Sequence, residues 1–130
     1  MYKIEKKSFG YKLTFSDIIE LDEIKRWVEE SKKVLASQAG KFGVMVDMRG
    51  LRPLKPDVQA AMVEGQKAFK GKGMERSAVV LANSVIALQF KRLAQESGIY
   101  EWERYVDGSK KAEWERVAEA WISHAADPDK

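Results

Sequence analysis

Two short apolar runs, Phe42 to Val46 and Ser77 to Ala82, set the tightest limit on what this chain can fold into. Neither run alternates with polar residues, so each reads as a strand covered on both faces. Each is followed by a stretch with helical spacing. From Pro56 the apolar positions are Val58, Ala61, Met62 and Phe69; from Ser84 they include Ile86, Phe90, Leu93 and Ala94. A strand buried on both sides and feeding a helix implies a largely parallel sheet, because each crossover helix must pack back onto it.

The flanking sequence fits the same plan. Tyr2 to Ser8 and Tyr11 to Phe15 alternate around Gly10, which predicts a hairpin with Leu13 and Phe15 inward and Lys12 and Thr14 turned away. From about Ser16 the period becomes helical, with Ile24, Trp27, Val28, Val34 and Leu35 on one face. Ser16 or Asp22 is placed to cap that helix and Gly40 to end it. Gly71 and Gly73 stop the Pro56 helix, Ser84 caps the next, and Gly98 terminates it. Glu101 to Val106 reads as the last strand, Asp107-Gly108 as a turn, and Ser109 to Ser123 as the last helix. That helix would turn Trp114, Val117, Ala118 and Trp121 inward. The expected fold is α/β: one domain over residues 1–125, an N-terminal β-hairpin and then βα repeats. It would have a mostly parallel four- to five-stranded sheet, about four helices, and a frayed tail over 126–130.

Composition excludes several function classes. The 130 residues suffice for one core, and the absence of cysteine removes disulfides, thiolate metal sites and cysteine nucleophiles. His124 is the lone histidine and lies near the end, and no Ser–His–acid pattern accompanies it, so no catalysis and no cofactor are expected. The charged start Met1-Tyr2-Lys3-Ile4-Glu5 fits neither a signal peptide nor a membrane span, so the expectation is a cytoplasmic protein with no integral membrane segment. The net charge is only +3. Lys67, Lys70, Lys72, Lys91 and Arg92 are interleaved with Glu64, Glu75 and Glu96, unlike the one-sided basic face of a nucleic-acid binder.

The candidate site is the segment that joins the first apolar run to its helix. Asp47 ends the run, Arg49, Arg52 and Lys55 make the following loop basic, and Pro56-Asp57-Val58 opens the helix. Loops at the carboxyl ends of parallel strands are where open α/β sheets place binding sites. The arginines and the lysine suit an anionic headgroup, a phosphate or an acidic patch on a partner, although no glycine-rich phosphate cradle is present. Asp47 is expected to bond backbone amides in the loop rather than a metal. Asp57 suits the positive end of the helix dipole. The Ser84 helix has more apolar surface than one buried face needs. Val85 and Leu88 form one stripe and Phe90 belongs to another, so this helix is read as deeply buried, or else as an interface or a pocket wall. The tryptophans Trp114 and Trp121 read as core, and Trp102 as a residue near the start of the last strand.

The element order, the strand end VMVDMRGL, Glu75-Arg76-Ser77-Ala78-Val79-Val80 and Arg104-Tyr105-Val106-Asp107 together resemble the STAS superfamily. The nearest likeness is its SpoIIAA-like branch, which is grouped with SEC14-like lipid-binding domains. The resemblance covers nearly the whole chain and implies binding rather than catalysis. In the anti-sigma factor antagonists of that superfamily, a serine at the start of the second helix is phosphorylated. The corresponding turn here reads Leu54-Lys55-Pro56-Asp57-Val58, with no hydroxyl residue from Gly50 to Gln66. The switch is therefore expected to be missing, with Asp57 as a weak fixed charge in its place.

Two readings follow. One is a regulatory or protein-interaction module that docks a protein partner through the Arg49 to Val58 loop and the helix starting there, with the Ser84 helix as a face that a second copy could meet in a homodimer. The other is a carrier or sensor of a small apolar ligand or lipid, with the Ser84 helix as its wall. A cavity of about 300 Å³ or more between that helix and the sheet would favour the carrier, and a packed interior would favour docking.

Overall fold

The computed structural model describes residues 1–109 and 111–130. The strands are β1 (Tyr2–Lys7), β2 (Gly10–Asp17), β3 (Phe42–Leu51), β4 (Met74–Leu81) and β5 (Glu103–Asp107). The helices are α1 (Leu21–Leu35), α2 (Pro56–Gly71), α3 (Ser84–Ser97) and α4 (Lys111–His124), and a 3-10 turn spans Tyr100–Trp102. The strands form one sheet in the order β1-β2-β3-β4-β5. β1 pairs antiparallel with β2, and every later pairing is parallel. This is the expected hairpin followed by βα units.

The strand order never reverses. With crossovers of the usual hand, such an order puts all the connecting helices on one face. The packing agrees. Ile24, Trp27 and Val28 of α1, Val58, Met62 and Phe69 of α2, and Ile86, Phe90 and Leu93 of α3 share one core with Leu13, Phe15, Val44, Val46 and Val79. The opposite face belongs to α4, where Trp114, Ala118, Trp121 and Ile122 cover Met45, Ala78, Val80 and Val106. The period of two along each strand thus serves two cores. The even-numbered residues Val44, Val46 and Met48 of β3 face the three helices, and Met45 faces α4.

Two glycines set how closely these layers approach. A Cβ on Gly65 of α2 would lie 2.1 Å from Trp27 Cζ3, so the indole rests directly on the helix backbone. A Cβ on Gly43 would lie 2.1 Å from Ile122 Cγ2, which seats α4 on β3. Arg76 fixes the same helix by donating to the Ile122 carbonyl at 2.9 and 3.1 Å.

Several boundaries differ from the sequence reading. β2 runs on to Asp17, so Ser16 is a strand residue and caps nothing. The residue at the N-cap of α1 is Glu20, without a side-chain cap, and Asp22 lies inside the first turn. Lys12 faces α4 rather than open water, with its ammonium 5.6 Å from the Trp114 ring. β3 extends past Asp47, the expected strand end, to Leu51, which moves Arg49 from loop to strand. Asn83, not Ser84, caps α3, accepting from the Val85 and Ile86 amides at 2.7 and 3.3 Å. Trp102 belongs to the 3-10 turn and β5 starts one residue later. The last helix, expected from Ser109, is described from Lys111, and residue 110 lies outside the described residues. In the tail, Asp127 accepts from Arg104 at 2.9 and 3.0 Å, an ion pair that the expectation of a loose end did not include.

Candidate functional site

The β3–α2 connection shrinks to residues 52–55 once β3 claims Arg49. Asp47 and Arg49 both face α4. The guanidinium donates to the two carboxylate oxygens at 2.9 and 2.8 Å, and the Arg49 amide adds a third bond at 3.2 Å. Burial alone would raise the Asp47 pKa, but these three donors outweigh it and hold the carboxyl below its usual range. The same pairing raises the Arg49 pKa. The guanidinium also lies over the Trp114 ring, 4.4 Å from its centroid. Arg49 is therefore committed to its own fold, and the bidentate geometry leaves it little capacity for an anionic ligand. Asp47 meets a backbone amide as expected, and its main partner is the arginine that the sequence reading had placed in the loop.

The loop itself is held rigidly by side-chain amides. Gln89 of α3 accepts from the Leu54 amide at 2.9 Å and donates to the Leu54 carbonyl at 3.2 Å. Gln59 of α2 donates to the same carbonyl at 2.7 Å, and Arg92 of α3 donates to Gln59. Leu54 is buried at the centre of this clamp. Lys55 bonds Glu20 at 3.0 Å across the loop. Arg52 is exposed, and its side chain has no hydrogen bond or ion pair among the described residues. The Asp57 carboxylate accepts from the next amide, that of Val58, at 2.8 Å, which is the behaviour of a residue in a helix first turn. Val58 is fully buried beneath it.

α3 resolves into two distinct faces. Phe90 is completely buried with Ile86 and Leu93, whereas Val85 is 52% and Leu88 69% exposed. Deep burial of the whole helix is thus corrected: the Val85–Leu88 stripe faces outward, continued one turn on by the exposed Arg92. Because Gln89 ties α3 to Leu54, this stripe and the free Arg52 belong to the same carboxyl-terminal rim of the sheet. Ile18, at the end of β2, adds a third exposed apolar side chain on that rim.

Among the described residues, the hollow behind the rim is smaller than a ligand pocket. An order that never reverses has no switch point, so helices do not diverge onto opposite faces to leave a crevice. The hollow between α1–α3 and the sheet measures about 30 Å³, room for about one water. It is lined by apolar side chains that include Trp27, Met62 and Phe90, together with Gln66, Ser77 and Glu103. Larger hollows are surface clefts. One of about 430 Å³ lies between the hairpin and α1, and one of about 360 Å³ lies beside Lys91, Tyr100 and Arg104.

Glu103 is a residue that sequence reasoning passed over. It is 4% exposed. Burial raises its carboxyl pKa to about 7, against the opposing hydrogen bonds from Tyr105 and Ser77. The signal was present in the strand phase, since an inward Tyr105 places Glu103 inward two residues earlier. Among the described residues, no group of three or more His, Asp or Glu side chains could hold a metal. No helix among them is long and apolar enough to cross a membrane. A scan of this chain against protein-family models finds no match, and a search of curated proteins finds no relative.

Proposed function

We propose that this chain is a non-catalytic protein-docking module of the STAS type, acting through the rim formed by residues 52–55, the start of α2 and the exposed stripe of α3. The observation that carries this reading is the contrast between a closed interior and an open apolar stripe. The interior hollow is about 30 Å³, while Val85 and Leu88 stand in solvent beside a loop clamped by Gln89 and Gln59. A loop tied down in this way lowers the ordering cost of association, and two exposed aliphatic side chains with the exposed Arg52 on the same rim suit an apolar anchor with an acidic edge.

Docking would be constitutive with respect to phosphorylation of this turn. It has no hydroxyl residue, and Asp57 is occupied with its own helix end. The carrier alternative is weakened by the small hollow, since a ligand pocket holds about 300–1,000 Å³. The test is a comparison of partner capture by the wild type, Leu88→Asp and Arg52→Glu, each confirmed as folded by circular dichroism. A specific protein retained by the wild type and lost from both variants supports the rim. A partner retained equally by all three places the docking surface elsewhere.

A further inference from the structure

We infer that Glu103, Tyr105 and the Phe90 carbonyl form a proton-controlled latch between the edge strand β5 and helix α3. The geometry rests on one phenolic proton with two acceptors. Tyr105 Oη lies 2.6 Å from Glu103 Oε2 and 3.4 Å from the carbonyl oxygen of Phe90. The other carboxyl oxygen, Oε1, accepts from the Ser77 hydroxyl at 2.9 Å. A phenol donates once, so it cannot serve both acceptors well.

When Glu103 is ionised it can only accept. The Tyr105 proton then goes to the carboxylate, and the Phe90 carbonyl keeps only its helical partner four residues on. When Glu103 takes up a proton, its own O–H can donate to Tyr105 Oη. The phenolic hydrogen is thereby released to the Phe90 carbonyl, and the β5–α3 contact gains a hydrogen bond. No bond other than these O–H···O contacts changes, and the added proton comes from solvent.

The surroundings leave Glu103 free to respond in this way. Ser77 faces it from β4, and Gln66 of α2, itself bonded to the Ser97 hydroxyl at 2.7 Å, lines the same hollow; both are neutral. Trp27 represents α1 there and is also uncharged. From α3, Lys91 places its ammonium 5.3 Å from the Tyr105 ring centroid. Tyr100 and Glu101 of the 3-10 turn and Asp129 of the tail border the surface cleft that Glu103 and Lys91 also line. Arg104 is bound to Asp127. Burial pushes the Glu103 carboxyl up to about 7 against the hydrogen bonds from Tyr105 and Ser77, and burial and the neighbouring Glu103 push Tyr105 well above its ordinary value, so it stays protonated.

The latch has a direct route to the rim. Gln89, the residue before Phe90, is the side chain that grips Leu54 from both sides. Proton uptake would therefore tighten the helix that carries Val85 and Leu88, whether or not that stripe docks a partner.

The test uses the intact chain. Infrared spectroscopy should show a protonated buried carboxyl band that disappears with a midpoint of about 7 and is missing in Glu103→Gln. Hydrogen exchange, corrected for intrinsic rates, should show severalfold stronger protection of the mid-α3 amides at pH 5.5 than at pH 8. Glu103→Gln, whose amide is a permanent donor, should hold the protected state at both pH values. Tyr105→Phe should keep the carboxyl band, with its midpoint moved upward, and lose the α3 response. The inference is overturned if Glu103 titrates as an ordinary carboxylate near 4.5, if α3 protection is independent of pH in the wild type, or if Tyr105→Phe preserves the response. Buried amides of β3 and β4 report the global pH dependence of stability, so the latch requires a larger change in mid-α3 than in those strands; an equal change overturns it, and this comparison with the infrared midpoint decides the matter even if either variant fails to fold.

Discussion

Replacing Gly65 by alanine sets two opposing effects against each other in one helix, and the geometry says which wins. Alanine is favoured over glycine inside a helix by about 1 kcal/mol. At Gly65, however, the new methyl would lie 2.1 Å from Trp27 Cζ3 and 2.4 Å from Cη2. Trp27 cannot simply move aside, because it is 2% exposed and bounded by Phe15 at 5.2 Å and Phe69 at 6.0 Å between ring centroids. Overpacking of this kind costs about 1–3 kcal/mol, and an overlap with a confined indole belongs at the upper end. Gly65→Ala should therefore lose about 2 kcal/mol net, or about 8 °C in Tm at roughly 4 °C per kcal/mol for a chain of this length. Gly71, the last residue of the same helix, has nothing within 4 Å of its would-be Cβ. Gly71→Ala should thus be neutral or gain up to about 0.5 kcal/mol. Urea titration followed by tryptophan fluorescence reads both. A double-mutant cycle with Trp27→Phe, which removes the atoms in conflict, should recover most of the Gly65→Ala loss. If Gly65→Ala is as stable as Gly71→Ala, the close α1–α2 approach described above is incorrect.

Other outcomes follow from single contacts. Arg49→Ala leaves Asp47 buried without its bidentate partner and should cost about 2–3 kcal/mol in chemical denaturation, a larger effect than Arg52→Ala, which should stay within about 0.5 kcal/mol. Asn83→Ala removes the α3 cap and should cost about 1 kcal/mol, whereas Ser84→Ala should cost little. Glu103 makes stability depend on pH with a definite sign. Its folded pKa of about 7 exceeds the ordinary 4.5, so between those values the folded state binds more protons than the unfolded one. Stability from this group is fully present below pH 4.5, falls by about 3 kcal/mol as pH rises to 7, and is level above that. Glu103→Gln should flatten that part of a denaturation series run from pH 4 to 8.

The fold was legible because its signals were local and repeated. Runs such as Val44–Met45–Val46 admit few alternatives to a strand covered on both faces, and each was followed by a helical period. What misled was polarity inside the sheet. Asp47 looks like the end of a strand and Arg49 like a loop residue, yet they neutralise each other beneath Trp114, so the strand continues through them. Charge in a sequence shows that a partner is needed, not whether that partner is water. The cap of α3 falls on Asn83 rather than on the expected Ser84, since two good capping residues in succession differ only in where the backbone turns. At the candidate site, the excess apolar surface of α3 was visible, but periodicity cannot say which of two stripes meets a neighbour. Phe90 went inward, and Val85 and Leu88 did not. The identical face of α1, α2 and α3 depends on strand order, which no single segment encodes.

We propose a docking function on the surface of this molecule, whose interior hollow of about 30 Å³ is too small for cargo. Native mass spectrometry of freshly purified protein, paired with organic extraction of the same sample, tests that most directly. Masses of the bare chain, alone or in protein complexes, and an empty extract are expected. A lipid or metabolite bound at stoichiometric level would contradict the proposal.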